Sequence, residues 1–341
     1  MGSGVSGAFC LPLLKKSISL PSQRVCAPAQ VAHRYQLTSH RDVQMNTDTI
    51  QLAGRTFSYR SNVVPGIKPG IPLIVAIHGG GYTSEYFGVK GFSMLDRAAA
   101  LGMPVVAIDR PGYGKSEVRD EAELSHARTA ELLALAIGDL WASRGGTAAG
   151  IVLIGHSIGG AITSMIAARR PEWPLLGIAV SGFGLRTAPG DAEAWNALPS
   201  MPFIDLPVAL RDSKMFGPTG TYDDTTPATT HRAYAPMARQ ELIDIVTAWP
   251  QHVRSILSQI RVPVHYRQAD GDALWTVSAQ EVQAFASACV CAPWTDAALV
   301  RGSGHCIDFH YLGGSFQTEQ LAFALKCAAY ATMSFLGDDS P

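Results

Sequence analysis

Residues 155–159 read Gly-His-Ser-Ile-Gly, and this pentapeptide is the strongest structural signal in the chain. An apolar run at 151–154 precedes it, and a helical pattern at 158–170, closed by Pro171, follows it. A sharp strand-to-helix turn holds its serine in a strained conformation, and glycines beside it avoid collisions with the neighbouring strand and helix. The turn lifts the Ser157 hydroxyl to a helix N-terminus, where amide groups favour negative charge. We therefore expect Ser157 to act as a nucleophile.

Further apolar runs lie on both sides of this turn. They lack polar alternation, which indicates strands covered on both faces of a parallel sheet; they occupy residues 73–77, 104–108, 176–180, 262–266 and 297–300. Two shorter strands are predicted at 49–52 and 55–61, around Gly54, and helices at 126–144, 278–288 and 318–335. Strands that alternate with helices predict an α/β fold with a mostly parallel, doubly wound sheet.

A serine hydroxyl needs a general base, and the chain offers one after its last predicted strand. His305 follows Gly302-Ser303-Gly304, a loop that could carry an imidazole toward Ser157. The acid that orients the imidazole should follow the strand at 262–266, where Asp270 and Asp272 both occur. We favour Asp272, because the loop must first turn away from the strand, and leave Asp270 to bind turn amides or water.

The negative oxygen of an acyl-transfer intermediate requires two amide donors. One should be the backbone of Ile158, directly after the nucleophile. The other should come from His78-Gly79-Gly80-Gly81, with Gly80 preferred and Gly81 as the alternative. We also expect Gly81, His156 and Trp275 to contact the substrate; Trp275 lies three residues beyond Asp272.

Residues 184–260 interrupt the alternation of strands and helices. This segment contains prolines, aromatic residues and methionines but no strand run, and ends in a helical stretch at 238–260 interrupted by Pro250. It is too long for an ordinary loop, so we expect a mainly helical cap inserted into the α/β core. The core then comprises residues 45–183 and 261–341.

The chain resembles the α/β-hydrolase superfamily over roughly residues 49–337. The matching motifs are His78–Gly81, the Asp109-Arg110-Pro111-Gly112-Tyr113-Gly114-Lys115-Ser116 loop, residues 155–159, Asp272 and His305. The glycine loop is similar to that of the proline-iminopeptidase and esterase branch, but Gly81 stands where that branch has a proline, which argues against a peptidase. The resemblance implies cofactor-free hydrolysis through a covalent acyl-serine.

The composition excludes other function classes. A formal net charge of −1 leaves no broad basic face for nucleic acid, and no apolar run approaches the length of a membrane span. The six cysteines match neither a zinc pattern nor a dense disulfide framework, which favours reduced thiols in a cytoplasmic enzyme. No metal site is expected, because the chain has no H-E-x-x-H motif and His305 already has a role.

Residues 1–44 differ from the rest of the chain. No Asp or Glu occurs before position 42, whereas basic residues and serines are frequent. This composition is typical of an organellar transit peptide, and would then imply a mitochondrial or other organellar location; the alternative is an extension that precedes a start at Met45. In either case we expect a chain beginning at Met45 to fold and react normally.

These motifs together predict a serine hydrolase that cleaves an ester, lactone or thioester of a hydrophobic small molecule. The same residues could serve a C–C bond hydrolase or an aminopeptidase. They could also serve a lyase or transferase that excludes water, or a ligand receptor without activity. The sequence leaves the physiological substrate and the oligomeric state open.

Overall fold

The structure, a computed structural model, describes residues 47–62 and 67–337. The predicted leader at 1–44 lies outside these residues. The described residues contain ten strands: β1 (Asp48–Leu52), β2 (Arg55–Ser61), β3 (Leu73–Ile77), β4 (Val105–Ile108), β5 (Ile151–His156), β6 (Leu175–Ser181), β7 (Phe203–Ile204), β8 (Met237–Ala238), β9 (Val264–Ala269) and β10 (Thr295–Val300). The predicted strands all occur, with ends shifted by at most three residues.

Eight of these strands form one sheet in the order β1-β2-β4-β3-β5-β6-β9-β10. β2 pairs antiparallel with both β1 and β4, and every other pairing in this sheet is parallel. The predicted mostly parallel α/β fold is therefore confirmed. Parallel strands end at the same sheet edge, so the loops after β3, β5, β9 and β10 meet there.

The helices are α1 (Met94–Ala100), α2 (His126–Arg144), α3 (Ile158–Ala168), α4 (Asp191–Asn196), α5 (Val208–Phe216), α6 (Thr226–Thr230), α7 (Arg239–Val246), α8 (Ala248–Leu257), α9 (Ala279–Ala288) and α10 (Gly313–Gly337). Short 3₁₀ helices lie at Ser84–Gly88, Glu121–Leu124, His231–Ala233 and Ile307–Phe309. Within the described ranges, none of the helices is long and apolar enough to cross a membrane.

Both faces of the sheet are covered, which explains the apolar runs of its strands. In β3, Leu73, Val75 and Ile77 face one hydrophobic cluster, which includes side chains of α2, α3, α8 and α9. Ile74 and Ala76 face the other cluster, with side chains of α1 and α10. A strand packed on both sides has no solvent-facing position, so polar alternation is lost. The sheet is doubly wound, as predicted.

The segment at 184–260 is mainly helical, with α4 to α8 inside it. It also contains a two-stranded antiparallel pair, β7 with β8, where the sequence predicted no strand. Two-residue strands are too short to leave a hydrophobic pattern. The predicted helix at 238–260 divides at Thr247 instead of Pro250, which is the third residue of α8. Proline fits there because the first turn of a helix has no internal partner for its N–H groups.

Candidate active site

Ser157 occupies the single residue between β5 and α3. Its backbone has φ 56° and ψ −125°, a conformation that is rare and strained for a residue with a side chain. The Ser157 amide donates to the carbonyl of Ser181 in the adjacent strand β6, at 2.7 Å. The serine is half-buried, so its hydroxyl is accessible at the carboxyl edge of the sheet.

The two glycines of the pentapeptide are required by close contacts. A Cβ atom at position 155 would lie 2.4 Å from Oγ1 of Thr163 on α3. A Cβ atom at position 159 would lie 2.2 Å from the carbonyl oxygen of Ile77 on β3. Both distances are shorter than any stable contact, so the strand-turn-helix geometry permits only glycine at these positions.

His305 and Asp272 complete a hydrogen-bonded chain with Ser157, which we call the candidate triad. His305 Nε2 lies 2.9 Å from Ser157 Oγ, and Nδ1 lies 2.8 Å from Asp272 Oδ2. With its proton on Nδ1, the imidazole donates to Asp272 and accepts from Ser157. Both His305 and Asp272 are buried, which shields the histidine–carboxylate bond from water.

The structure brings Asp272, and not Asp270, to the histidine. Asp272 Oδ2 also accepts from Gln268 Nε2 at 2.9 Å, and its Oδ1 accepts from the Leu274 amide at 2.9 Å. Asp270 is exposed and accepts instead from the amide of Gly302, at 2.9 Å. Three donors thus hold the Asp272 carboxylate in the site, whereas the Asp270 carboxylate stabilises the turn that leads to His305.

The loop that carries His305 packs closely against α5. A Cβ atom at position 304 would lie 2.1 Å from the carbonyl oxygen of Phe216, so glycine is needed for close approach. Further along, the Cys306 amide donates to the Met215 carbonyl at 3.0 Å. The position of the imidazole therefore depends on the segment that the sequence predicts to be a cap.

The two residues preferred as oxyanion donors, Gly80 and Ile158, lie beside Ser157. Ile158 is the first residue of α3, where an amide has no partner within the helix. The Gly80 amide has no hydrogen-bond partner among the residues that the structure describes. Gly80 and Ile158 line one cavity with Ser157, and a Cβ at position 80 would lie 2.8 Å from Ile158 Cδ1. Gly81, the alternative, packs instead against Met237 and lies outside this lining.

His156, which we expected to contact the substrate, is not among the residues that line the cavity over Ser157. Its ring stacks on Tyr86 at a centroid distance of 4.7 Å and lies 4.9 Å from the ring of His305. Burial lowers the pKa of His156 well below its usual value, and the charge of a protonated His305 adds to this effect. A neutral His156 therefore supports the His305 ring by packing. The neighbouring thiol of Cys306 is also buried, which raises its pKa and makes it unreactive.

The cavity over Ser157 is lined mainly by apolar side chains. Trp275 is among them, together with Trp195, Leu206, Met215, Met237, Leu242, Ile245, Val246 and Leu274. Three charged residues also line it: Asp191, Arg211 and Lys214. No motif in the sequence indicated these three, because Asp191 comes from α4 and the other two come from α5, and the two helices converge only in the folded chain.

A buried ion pair connects α7 to the glycine loop at residues 78–81. The guanidinium of Arg110 bonds to Glu241, and also donates to the carbonyls of His78 and Gly79, at 3.1 Å each. The hydroxyl of Tyr113 donates to the second Glu241 oxygen, at 2.7 Å. The side chains of Arg110 and Glu241 have at most 1% of their surface exposed. Arg110 thereby holds two carbonyls of the glycine loop in place.

Replacing Glu241 with glutamine should destabilise the protein by about 3–5 kcal/mol, because Arg110 would remain buried without a counter-charge. The free energy of unfolding, measured by urea denaturation, tests this expectation. Glu131→Gln is the matched control: Glu131 pairs with Arg128 and Arg169 at the surface, and its loss should cost about 1 kcal/mol or less. Equal losses in the two variants would contradict a structural role for the buried pair.

Comparisons with known proteins agree with this architecture. A family model described as the alpha/beta hydrolase family matches residues 74–312. A solved structure of an alpha/beta hydrolase from Novosphingobium aromaticivorans has a TM-score of 0.60 at 16% identity, over 83% of this chain and 98% of that one. A structure of the N-acyl homoserine lactonase AidH has a TM-score of 0.58 at 15% identity, over 83% and 97%.

Among curated proteins, the chain is similar to protein phosphatase methylesterase 1 of Bos taurus. The two are 33% identical over 108 residues, which represent 31% of this chain and 27% of the methylesterase. The chain thus matches only about a quarter of the length of this relative.

Proposed function

This chain belongs to the alpha/beta hydrolase family, and we propose that it is a serine esterase acting on an ester, lactone or thioester of a hydrophobic small molecule. The observation that carries the proposal is the candidate triad, with its consecutive distances of 2.9 and 2.8 Å beside an apolar cavity. The named activities of the relatives, a methylesterase and a lactonase, support the choice of a carboxylic ester.

The geometry supports a two-step reaction. His305 Nε2 takes the proton of Ser157 Oγ as the oxygen attacks the carbonyl carbon, and Asp272 stabilises the imidazolium that forms. The amides of Ile158 and Gly80 bind the negative oxygen of the tetrahedral intermediate. The intermediate collapses when His305 returns the proton to the leaving alcohol, which leaves an acyl-serine. A water molecule, deprotonated by His305, then attacks this ester. The second tetrahedral intermediate collapses when His305 returns the proton to Ser157 Oγ, which releases the acid and restores the serine.

A labelling experiment separates this proposal from a ligand receptor without activity. A fluorophosphonate probe should add to Ser157, as located by peptide mass spectrometry. The protein should also hydrolyse at least one member of a panel containing p-nitrophenyl esters, lactones, thioesters and aminoacyl amides. Absence of both labelling and turnover would contradict the proposal and favour a receptor. Preferential cleavage of the amides would favour an aminopeptidase.

The segment at 184–260 should control which substrate is accepted. Of its aromatic and methionine side chains, Trp195, Met215 and Met237 line the cavity. Trp195→Ala and Met237→Ala should lower kcat/KM for a bulky aromatic ester by roughly tenfold or more. The same substitutions should change kcat/KM for a short acetyl ester much less.

Met201→Ala is the matched control for this experiment. Met201 belongs to the same segment, but it is exposed and absent from the cavity lining, so neither ester should be affected. Equal losses on both esters in the Trp195 and Met237 variants would mean that the segment is structural and that specificity resides elsewhere.

A further inference from the structure

The cavity over Ser157 has a polar part that an apolar substrate would leave unused. Asp191 begins α4, and Arg211 and Lys214 lie one turn apart on α5, so the latter two share a helix face. Lys214 Nζ lies 3.1 Å from Asp191 Oδ1, which brings α4 and α5 together at this point. Burial raises the pKa of the Asp191 carboxyl, and the negative charge of Asp272 raises this pKa further. The hydrogen bond from Lys214 lowers the same pKa in part. The polar part is therefore close to the candidate triad.

Two buried polar atoms of these cavity-lining residues have no hydrogen-bond partner among the described residues. One is Oδ2 of Asp191, the oxygen that Lys214 does not bind. The other is Nε of Arg211, whose Nη2 donates to Asp205 at 2.9 Å. Asp191 is 7% exposed and Arg211 is 3% exposed. A buried polar atom without a hydrogen bond costs about 1–3 kcal/mol, so such atoms usually have a partner.

The chemistry of the two atoms limits which group can bind to both. A carboxylate oxygen accepts a hydrogen bond, and the Nε–H of arginine donates one. A single group that bonds to both atoms must therefore both donate and accept. The charges are already balanced, since Asp191 pairs with Lys214 and Arg211 pairs with Asp205. A charged ligand group would be buried here without a counter-ion, which is costly. An uncharged group avoids this cost.

We infer that the substrate carries an uncharged amide, whose N–H bonds to Asp191 Oδ2 and whose carbonyl accepts from Arg211 Nε. This inference rests on the proposed function and narrows its substrate class to esters with an amide in the part bound between α4 and α5. Apolar side chains bind the remainder of the molecule, and the two buried atoms select for the amide.

Two p-nitrophenyl esters of equal chain length test the inference. One is the hexanoate, and the other is the ester of N-acetyl-β-alanine, which places an amide in a six-atom chain. The wild-type protein should have the higher kcat/KM for the amide ester. Asp191→Leu, which keeps the shape of the side chain without its oxygens, should lower the ratio of kcat/KM for the amide ester to kcat/KM for the hexanoate roughly 10- to 100-fold.

Two further variants keep the test decisive if Asp191→Leu does not fold. Arg211→Lys retains the charge but removes Nε, and should reduce the preference for the amide ester roughly tenfold. Asp191→Asn should reduce the preference for the amide ester several-fold, because a neutral acceptor is weaker than a carboxylate. Met201→Ala is the control: Met201 is exposed and lies outside the cavity lining, so the preference should not change.

The possible results separate this inference from the proposed function. Hydrolysis of both esters with the same ratio in wild type, Asp191→Asn and Arg211→Lys would overturn the amide site and leave the esterase in place. A wild-type preference for the hexanoate would also overturn it. Failure to hydrolyse either ester, or hydrolysis that persists in Ser157→Ala, would count against the proposed function itself.

Discussion

Ser157→Ala should lower kcat for ester hydrolysis by about a millionfold, to the rate that the remaining site supports without a nucleophile. The reason is geometric: Ser157 Oγ is the atom at 2.9 Å from His305 Nε2, and alanine offers nothing to deprotonate or acylate. The measurements are the steady-state rate with a p-nitrophenyl ester and the mass of the protein after fluorophosphonate treatment.

The variant should remain folded, because alanine can occupy the same backbone conformation as serine. Its unfolding midpoint should therefore match that of the wild-type protein within a few degrees, which separates chemical from structural loss. A folded variant that retains more than about a hundredth of the wild-type activity would remove Ser157 from the proposed mechanism.

Asp272→Asn should lower kcat by roughly a thousand- to ten-thousandfold. In the structure, Asp272 Oδ2 accepts from both His305 Nδ1 and Gln268 Nε2. An amide NH₂ group at this position would face two donors, and an amide oxygen would offer no charge to stabilise the imidazolium. The imidazole would then lose the tautomer in which Nε2 can accept the serine proton.

Asp270→Asn is the matched control, since Asp270 lies two residues away in the same loop. Its carboxylate accepts from backbone amides at the surface, and we expect a change in kcat of less than about threefold. Comparison of the two variants at saturating substrate, with circular dichroism to verify folding, tests the assignment. A larger loss in Asp270→Asn would transfer the acid's role to that residue.

Local patterns in the sequence were sufficient to place the sheet and the turn that carries Ser157. The runs at 73–77 and 151–154 predict buried strands, because a strand packed on both faces has no polar position. The turn at Ser157 is equally local: Gly155 and Gly159 are needed by contacts to Thr163 and Ile77 that the strand-turn-helix geometry itself creates. Such features depend on backbone sterics over a few residues, and a single sequence records them directly.

Other features depended on contacts between distant parts of the chain. Asp270 and Asp272 follow the same strand, and only the path of the loop over His305 distinguishes them. His156 is next to the nucleophile in sequence, yet the alternation of β5 directs its side chain to the opposite side, against Tyr86.

The polar part of the cavity and the Arg110–Glu241 pair show the same dependence at longer range. Asp191 and Lys214 are 23 residues apart, and Arg110 and Glu241 are 131 residues apart. Neither pair belongs to a periodic pattern, because a helix or strand repeat specifies only which face is buried, and not which side chain of another element it will meet. Folding of the segment at 184–260 brings Asp191 to Lys214, and packing of this segment onto the core brings Glu241 to Arg110. These contacts form the part of the site that we expect to select the substrate.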